Sequence, residues 1–501
     1  MERPDPEEAR ATLVATLTAF PTDDFNALLA DLVEAAWVEV RADLVGDIDL
    51  GQLDCYFPGR FLYTLRSREE GGGFEGPPER RRRRLIEAGW RYDFVDLEVD
   101  RDLTPEILKA IPPEKRVLSW HGPATDLEGL KAVFSRMAGT EAFLYKLVPT
   151  ATQPGEEIPA LLLLHALGRR DVAAFAAGPA GAWTRLVAPH LGAPVVYGAV
   201  GEVPGAPGQI SIERLCRDYG LPALPRLQAL FGLVGNPVTH SLSPRIHNAA
   251  YRELGIPAVY LPFHTDFFGE LWLEVVESGA MEAIGLPIRG LSVTAPFKET
   301  ALALAGAESP LAGMIGAANT LVWNHGVWEA EATDPDGVVL PLRERGIVID
   351  GLEAAVLGAG GAGRSAAVGL AGGGARVTVF NRDPERGRSA AERLKLPFLP
   401  LGDLDPAGFD LLVNATSLGR AEGEPLPFDV LRLKPGAVVI DLVYLTDRPT
   451  PLLVAVAARG GVAIDGREVL IGQARGQFRM MTGCELPLGL ARRVAGLEEQ
   501  G

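Results

Sequence analysis

Eight short runs rich in β-forming residues alternate with helical patterns over roughly the first 200 residues of this 501-residue chain. Each intervening segment is long enough for a crossover helix, and βα units repeated in this way close into a parallel barrel. The sequence therefore predicts a compact (β/α)8 barrel. The predicted strands are Thr12–Thr18, Trp37–Asp43, Phe61–Arg66, Phe94–Val99, Arg116–His121, Phe143–Val148, Val172–Ala177 and Pro194–Ala199.

The second half of the chain carries a dinucleotide-binding pattern. An apolar run, 354–357, leads into a glycine-rich stretch, and a helical run and a second strand, Arg376–Phe380, follow. In this context a G-x-G-x-x-G motif lets the backbone approach a pyrophosphate and points a helix N-terminus at it. A purely structural glycine turn is the alternative. The residues of the motif are Gly358, Ala359, Gly360, Gly361, Ala362 and Gly363.

A further α/β pattern lies between these two regions. It begins with the strand 230–234 and the helix Ser243–Leu254, after a Gly- and Pro-rich boundary, Gly201–Pro225. The chain is too long for one ordinary core. The predicted fold class is α/β, with an N-terminal (β/α)8 barrel followed by a two-domain unit that contains a Rossmann domain.

Composition restricts the partners and the location. The net charge of −17 argues against a general nucleic-acid or anionic-membrane partner, because both bind preferentially to proteins with an excess of Lys and Arg. The acidic first residues are no signal peptide, and no apolar span of about 20 residues follows. Cys55, Cys216 and Cys484 lack metal-ligand spacing, so we expect no metal site and a reduced, cytoplasmic location. The run Arg80–Arg84 is interpreted as a solvated helix face rather than a phosphate site.

Two lysines lie in motifs with different chemistry. Lys146 lies in the apolar run Phe143–Val148, where poor solvation favours a nucleophilic amine. Lys298 lies in Val293–Glu299, upstream of Asp334. The sequence thus predicts two active sites. The first would lie where (β/α)8 barrels place their chemistry, because five polar residues fall at or just past predicted strand ends. These residues are Arg41, Arg66, Glu70, His121 and Lys146.

Over about residues 11 to 215 the chain resembles type I 3-dehydroquinate dehydratase. The motifs are Val38–Asp43, Thr64–Gly72, Ser119–His121, Lys146, Gly178–Arg185 and Ala206–Gln209. The resemblance implies that Lys146 forms an imine with the substrate ketone, that His121 moves protons and that Glu70 orients His121. A protonated imine acidifies the adjacent C–H, so loss of a β-hydroxyl becomes feasible. It also implies that Arg185 holds the substrate carboxylate. Contacts to the substrate hydroxyls and ring would come from Glu39, Arg41, Arg66 and Gln209.

Considered alone, His121 in an apolar strand would more often be a core histidine, and its pairing with Lys146 reverses that preference in favour of the functional interpretation. The family pattern is not matched everywhere. The departures, which concern substrate fit and turnover, are Gly122, Ala177, Thr184 and Gly205.

Residues 230 to 490 resemble shikimate dehydrogenase. The motifs are Gly235–Pro244 with His247 and Asn248, Val293–Glu299, Gly316–Thr320, Asn414–Ser417, Asp441–Tyr444, and Gln473 and Ala474 with Phe478. The resemblance implies that Lys298 and Asp334 are the catalytic pair, with an ammonium that donates a proton as hydride reaches the ketone carbon. Substrate contacts would come from Ser241, Ser243, Thr294, Asn319, Tyr444 and Gln473. Ala332 replaces a family amide, and the proline usual soon after Tyr444 is absent.

Local residues predict NADP(H) as the cofactor. The second strand of the dinucleotide pattern ends in Asn381 and Arg382, with Arg386 one helical turn on, and arginines there suit a 2′-phosphate. Asp383 would oppose it weakly. The predicted cofactor site also includes Thr416 and the six residues of the glycine motif.

Together the resemblances imply a bifunctional enzyme of the shikimate pathway, which leads to the aromatic amino acids. The barrel would dehydrate 3-dehydroquinate to 3-dehydroshikimate, and the second half would reduce that product to shikimate with NADPH. Three alternatives stay open: only the dehydrogenase half is active, the chain is a non-catalytic quinate-pathway sensor, or the second half is an NAD-dependent quinate dehydrogenase. The oligomeric state is not predicted.

The implied division has five parts. Residues 1–215 form the dehydratase-like barrel and 216–229 a linker. Residues 230–335 form a shikimate-binding domain, 336–465 an NADP-binding Rossmann domain, and 466–501 helices that return to the substrate domain.

Overall fold

The computed structural model describes residues 10–19, 32–48, 50–51, 57–201, 203–420 and 423–497. The chain divides into two compact units, residues 1–229 with 257–287, and residues 230–256 with 288–501. Residues 257–287 thus group with the first unit, whereas the predicted division includes them in the domain 230–335. That division stays a prediction. Cys55 lies outside the described residues. No described helix combines the length and the apolar character needed to cross a membrane.

Eight parallel strands form the centre of the first unit. They are β1 (Thr12–Leu17), β2 (Trp37–Arg41), β3 (Arg60–Thr64), β4 (Phe94–Glu98), β5 (Arg116–Pro123), β6 (Leu144–Thr150), β7 (Val172–Ala174) and β8 (Val195–Ala199). Because β1 pairs with both β2 and β8, the order β7-β6-β5-β4-β3-β2-β1-β8 makes a nearly closed barrel. All eight predicted strands are present, with ends shifted by three residues or fewer. The barrel prediction is confirmed.

Helices follow the strands of the barrel. They are α1 (Ala42–Val45), α2 (Pro78–Arg91), α3 (Pro105–Ala110), α4 (Leu127–Ala138), α5 (Ile158–Leu167), α6 (Thr184–Val187) and α7 (Ile212–Tyr219), with 3-10 turns at Arg68–Glu70, Pro113–Lys115 and Ala188–Leu191. Local sequence sets where several begin: the Asp126 side chain accepts from the Gly129 amide at the start of α4. Strands between such helices and a filled barrel interior are buried on both faces. Strand β2 is therefore buried along its whole length despite containing Glu39 and Arg41.

The positions of two predicted site residues within their strands differ from expectation. Lys146 is the third residue of β6, and His121 lies two residues before the end of β5, so neither is at a strand end. The two strands pair from Val117 with Leu144 through to Pro123 with Thr150. This long ladder extends both strands beyond the predicted ends.

The interpretation of Arg80–Arg84 as a solvated helix face is wrong at one position. Arg81 is only 6% exposed. Its guanidinium forms two 2.7 Å hydrogen bonds to Asp102 and also donates to the Leu65 carbonyl. The run lies in α2, and one arginine of it turns towards the barrel, where a buried carboxylate partners it.

Two sheets organise the second unit. The first contains β9 (Ala229–Gly235), β11 (Ile288–Val293), β12 (Ala307–Glu308), β13 (Thr320–Asn324) and β14 (Val327–Glu331). Strand β10 (Ala258–His264) lies in the range 257–287, which groups with the first unit. The same range contains helical turns at Phe268–Leu271, Trp272–Val276 and Ala280–Ala283. Within the second unit the order of the strands is β9-β11-β13-β14-β12. Strand β11 runs parallel to β9 and antiparallel to β13.

The second sheet is parallel and six-stranded. Its strands are β15 (Glu353–Leu357), β16 (Arg376–Asn381), β17 (Phe398–Pro400), β18 (Leu411–Asn414), β19 (Val438–Asp441) and β20 (Val462–Ile464), in the order β17-β16-β15-β18-β19-β20. Leu357, Asn414 and Asp441 stand side by side in register at the carboxyl edge. This doubly wound order brings the strand ends together where dinucleotides bind, so the Rossmann prediction is confirmed.

The helices of the second unit cover these sheets. They are α8 (Ser243–Leu254), α9 (Lys298–Leu304), α10 (Pro310–Ile315), α11 (Asp334–Glu344), α12 (Gly361–Gly372), α13 (Pro384–Leu394), α14 (Pro451–Ala458), α15 (Gly466–Thr482) and α16 (Leu488–Val494), with 3-10 turns at Leu401–Asp403, Pro406–Gly408 and Val430–Arg432. Two begin at candidate catalytic residues, α9 at Lys298 and α11 at Asp334. A packed apolar core that includes Val356, Leu370 and Val413 lies under the dinucleotide motif.

Candidate active sites

A buried amine lies inside the barrel with two carboxylates beside it. Lys146 is 4% exposed. Its Nζ lies 3.1 Å from Asp96 Oδ2 and 3.8 Å from Glu39 Oε1. The hydroxyls of Thr16 and Thr64 each donate to Glu39 over 2.8 Å, which holds that carboxylate in place. The Lys146 amine therefore lies in a polar environment in which hydrogen bonds fix the neighbouring carboxylate of Glu39.

Arg66 ties several of these groups together. Its guanidinium donates to Asp96 at 2.9 Å, to Ser119 Oγ at 2.9 Å and to Glu70 at 3.1 Å, and it lies 3.4 Å from Glu98. Burial opposes ionisation of Asp96, but Arg66 and Lys146 outweigh it and lower the pKa of that carboxyl to about 2. Arg66 thus organises a carboxylate network, and its contact to substrate stays a prediction.

His121 is held by Glu70. The ring Nδ1 lies 2.9 Å from Glu70 Oε2, and the His121 backbone N–H donates to the same oxygen over 3.1 Å. Burial lowers the pKa of His121 well below 6.5, and the positive charges of Arg66 and Lys146 act in the same direction. Burial also raises the pKa of Glu70 to about 8. The imidazole is therefore neutral near neutral pH, and Nε2 is the nitrogen left for a substrate proton.

Arg185 is a buried cation with unused donor capacity. It is 3% exposed, and among the described residues its Nε has no hydrogen-bond partner and its Nη2 donates only to the Pro207 carbonyl, at 3.3 Å. Arg185 makes no ion pair with any acidic residue that the structure describes. Burial lowers its pKa to about 10. A buried guanidinium without a carboxylate partner fits an anionic group of a ligand.

Two other side chains of the barrel that were predicted to bind substrate, Arg41 and Gln209, form hydrogen bonds within the protein. Arg41 forms two hydrogen bonds with Asp43, at 2.9 and 2.8 Å, and donates to the Gly205 carbonyl at 2.6 Å. Gln209 donates to Thr16 Oγ1 at 2.9 Å and accepts from the Gly205 amide at 2.8 Å. Both side chains brace the segment around Gly205, and their substrate contacts stay predictions.

A cavity of about 610 Å³ opens in the second unit. Of the residues predicted for the dehydrogenase reaction, it brings together Ser241, Ser243, Thr294, Lys298, Asp334, Tyr444 and Gln473. Ser241 and Ser243 share a 3.2 Å hydroxyl contact, and the Tyr444 hydroxyl accepts weakly from the Leu242 amide at 3.5 Å. This volume lies in the range of small-molecule binding sites.

The predicted lysine–aspartate pair is formed inside this cavity. Lys298 Nζ lies 2.5 Å from Asp334 Oδ2. Asn319 lies behind the pair, and its amide donates to Asp334 Oδ1 at 2.8 Å and to Thr333 Oγ1 at 3.0 Å. Asn319 therefore orients Asp334, and it does not line the cavity with the others. Its predicted contact to substrate stays untested.

The glycine-rich turn is shaped for close approach. Gly358 has φ +111°, and a Cβ at Gly363 would lie 1.9 Å from the Gly358 carbonyl oxygen, so no other residue fits there. Gly360 precedes the first turn of α12. The Asn381 side chain accepts from the Ala359 amide at 3.2 Å and so fixes the turn against β16. Thr416 donates to Asn414 at 2.7 Å on the neighbouring strand end.

The residues beside this turn fit an NADP-type dinucleotide. Arg382 and Arg386 are exposed, and neither pairs with an acidic side chain within the described part of the chain. The Arg386 guanidinium lies beside Gly360, 3.8 Å from where a Cβ would stand. Asp383 does not face these arginines as a free charge, because its carboxylate caps α13 by accepting from the Glu385 and Arg386 amides.

Comparison with known proteins finds similarity in both halves of the chain. Residues 13–222 match the type I 3-dehydroquinase family model, and residues 233–321 match the shikimate dehydrogenase substrate-binding domain. A shikimate dehydrogenase (NADP(+)) of Methanothrix thermoacetophila is 36% identical over 261 residues, which cover 52% of this chain and 93% of that protein. The chain belongs to the shikimate dehydrogenase family.

In this shikimate dehydrogenase family member, the segment that matches the type I 3-dehydroquinase model precedes the segment that matches the shikimate dehydrogenase substrate-binding domain. The chloroplastic bifunctional 3-dehydroquinate dehydratase/shikimate dehydrogenase of Arabidopsis thaliana is 29% identical over 506 residues, covering 93% of this chain and 80% of that protein. A solved shikimate 5-dehydrogenase of Thermus thermophilus, in complex with NADP(H) and shikimate, is 34% identical with a TM-score of 0.48, covering 53% of this chain and 98% of that one.

Sequence reasoning missed several residues of the dehydratase-type site. Asp96 contacts Lys146 directly, Glu98 accepts from the Ser67 amide at 2.8 Å, and Ser119 donates to Asp96 at 2.6 Å. A signal was available. Asp96 and Glu98 are carboxylates at alternate positions of an otherwise apolar strand, and alternate residues of a strand share one face.

Proposed function

We propose that the chain is a bifunctional enzyme that dehydrates 3-dehydroquinate to 3-dehydroshikimate and then reduces 3-dehydroshikimate to shikimate with NADPH. The observation that carries the proposal is the presence in one chain of two reactive lysines, each with its own proton-handling partner. Lys146 lies with the His121–Glu70 pair in the first unit, and Lys298 is bonded to Asp334 in the second.

In the dehydration, the Lys146 amine adds to the substrate ketone and water leaves, which forms a protonated imine. His121 Nε2 takes a proton from the carbon next to the imine carbon, and the electron pair moves towards the imine nitrogen. The pair then returns to expel the β-hydroxyl, which leaves as water with a proton from His121, and a water molecule hydrolyses the imine to release 3-dehydroshikimate and the Lys146 amine. Glu70 holds the ring through Nδ1 during both transfers. The orphaned Arg185 binds the carboxylate.

In the reduction, NADPH supplies the hydride. Lys298 donates a proton to the oxygen of the reduced carbonyl, Asp334 positions the ammonium through the 2.5 Å contact, and solvent returns a proton to Lys298 afterwards. Asn319 fixes Asp334 from behind. Ser241, Ser243 and Gln473 present hydroxyl and amide groups to the substrate. Arg382 and Arg386 hold the 2′-phosphate.

The test is a coupled assay. Purified protein with 3-dehydroquinate alone should accumulate the conjugated ketone 3-dehydroshikimate, and addition of NADPH should convert it to shikimate, both followed by chromatography. Absence of dehydration with intact reduction supports the alternative in which only the dehydrogenase half is active. Absence of both reactions in folded protein supports the sensor. Quinate oxidation with NAD as the faster reaction supports the quinate dehydrogenase.

Two finer expectations belong to this proposal. The five-part division retains the limits 215, 229, 335 and 465, and limited proteolysis with mass spectrometry tests it. A cytoplasmic location is supported by free Cys216 and Cys484, and cell fractionation with an antibody tests it. Recovery of the protein in an organelle or in the medium would contradict that location.

A further inference from the structure

Tyr197 lies against the reactive amine of the barrel. It stands on β8, where its backbone pairs with Val14 of β1, and it is 4% exposed. The Lys146 Nζ lies 4.6 Å from the centroid of the Tyr197 ring. The Tyr197 hydroxyl is buried and has no hydrogen-bond partner among the described residues. Buried hydroxyls are normally satisfied, so this one calls for an explanation.

Tyr197 is an exception within its surroundings. The other hydroxyls near Lys146 are all engaged: Thr16 and Thr64 donate to Glu39, and Ser119 donates to Asp96. Burial raises the pKa of the Tyr197 phenol well above 10, and the negative charges of Glu39 and Asp96 act in the same direction. The phenol therefore keeps its proton throughout the physiological range. A neutral O–H donor without a described acceptor therefore belongs to a ring that packs against the Lys146 amine.

We propose that Tyr197 is a further catalytic residue of the dehydratase site, whose hydroxyl donates a hydrogen bond to the substrate oxygen at the ketone carbon while Lys146 adds to that carbon. The inference rests on the proposed dehydratase function and assigns it one more group. The acceptor that Tyr197 lacks is supplied by the substrate.

Lys146 enters as its ammonium and passes one proton to His121 Nε2. The freed nitrogen lone pair forms the C–N bond, the C=O π pair moves onto oxygen, and a second proton from nitrogen ends on that oxygen. The C–O bond then breaks, the oxygen takes the proton held by His121 and leaves as water, and the nitrogen lone pair forms the C=N bond. Tyr197 keeps its own proton and stabilises the charge that develops on oxygen, as an oxyanion-hole donor does.

The experiment compares Tyr197→Phe with Tyr92→Phe. Tyr92 also buries a hydroxyl without a described partner, but its ring packs on Tyr63, in the layer outside the lysine site. Each variant therefore removes one unpartnered hydroxyl and keeps the ring. The rate of imine formation is measured by mixing the protein rapidly with 3-dehydroquinate, trapping with borohydride at set times and measuring the mass added to Lys146.

We expect imine formation in Tyr197→Phe to be about 10- to 100-fold slower than in the parent protein, in the range of one lost donor to a developing oxyanion. The loss should fall on kcat rather than KM and be uniform between pH 6 and 9, because no titration is involved. The Tm of both variants should equal or exceed the parent value, because an unsatisfied group has been removed. Tyr92→Phe should trap at the parent rate.

The outcomes separate the inference from the function on which it rests. If the parent protein is not trapped on Lys146, the dehydratase proposal itself fails. If the parent is trapped and Tyr197→Phe matches it within twofold, the role of the hydroxyl is overturned. A Tyr197→Phe protein that loses its fold, or whose pH profile shifts with the rate, shows instead a structural or electrostatic role for Tyr197, which also overturns the inference.

Discussion

At the scale of single residues, the charges around Lys146 are coupled, and Asp96 is central to them. It accepts from Arg66 and Ser119 and lies 3.1 Å from the lysine. Removing one partner of a buried ion-pair network leaves the others uncompensated. This cost can be measured against an exposed pair of the same geometry.

We expect Asp96→Asn to lower the free energy of unfolding by about 3–5 kcal/mol and to impair dehydration. Asp100→Asn is the matched control, because Asp100 pairs with Arg136 at 3.2 Å while 47% exposed, and such pairs contribute about 0–1 kcal/mol. Urea unfolding followed by tryptophan fluorescence measures both. Equal effects of the two substitutions would contradict the prediction.

The Asp96 contribution also has a defined pH range. Its pKa in the folded protein, about 2, lies below the usual 3.8, so the unfolded state binds more protons as the pH falls. The stabilisation is therefore present above about pH 4 and is lost as the pH falls towards 2. The difference in stability between the parent and Asp96→Asn should shrink over that interval.

His121 and Glu70 predict the pH dependence of dehydration. Because burial and nearby cations lower the pKa of His121, titration of His121 should not reduce kcat/KM between pH 8 and 6.5. Glu70 accepts from Nδ1 as a carboxylate and burial raises its pKa to about 8, so kcat/KM should rise with pH through an inflection near 8 that disappears in Glu70→Gln. Steady-state rates across pH 5–9 measure both features. An acid limb centred at or above 6.5 in Glu70→Gln would contradict the assignment to His121.

At the scale of elements, the predicted preference for NADP(H) depends on the start of α13. Two exposed arginines lie at the end of β16 and in the first turn of α13, and the Asp383 carboxylate between them in sequence is bonded to amides of that turn. Its charge is thus directed at the helix N-terminus, which accommodates negative charge. Asp383 consequently opposes a 2′-phosphate less than its sequence position suggested.

We expect NADPH to be preferred over NADH by ~10- to 100-fold in kcat/KM, since a charge-assisted pair contributes on the order of 1.5–3 kcal/mol. Arg382→Ala should raise KM for NADPH and leave NADH unchanged. Arg388→Ala is the control, because Arg388 is also exposed and lies two residues from Arg386, on another face of α13. Equal use of both cofactors by the parent protein would revive the quinate dehydrogenase alternative.

At the scale of the whole molecule, the two sites belong to different compact units. All residues around Lys146 lie in the first unit and all residues around Lys298 lie in the second. Each unit contains its own sheet framework, and distant sites without shared partners usually contribute additively. The two half-reactions should therefore be separable by substitution.

We expect Lys298→Ala to slow reduction by about 10²- to 10⁴-fold while dehydration stays within twofold of the parent. Lys146→Ala should abolish imine trapping and leave reduction of added 3-dehydroshikimate intact. Each half-reaction is assayed with its own substrate. Loss of both activities from either substitution, in protein with a parent-like Tm, would refute the independence of the sites.

Much of the architecture was determined by the sequence alone. The eight barrel strands and the strand–glycine–helix pattern at 354–363 are local signals, because hydrophobic periodicity and turn residues act over a few positions. The lysines and the residues that match family motifs were found in the same way. In the barrel, parallel strands in register bring the predicted residues together, and in the second unit the starts of α9 and α11 bring Lys298 and Asp334 into one cavity.

Tertiary structure alone decided which side chains are partnered. In the sequence Arg81 is one of five consecutive arginines, and only the fold brings its guanidinium to Asp102. The role of Asp96 likewise depends on its contact with Lys146, which the sequence does not show. Gln209 meets Thr16 across 193 residues of sequence. The unsatisfied hydroxyl of Tyr197 is defined by the absence of such a partner among the described residues. Local sequence patterns do not contain these contacts, because burial and hydrogen bonding depend on groups that only the folded barrel brings within about 3 Å of one another.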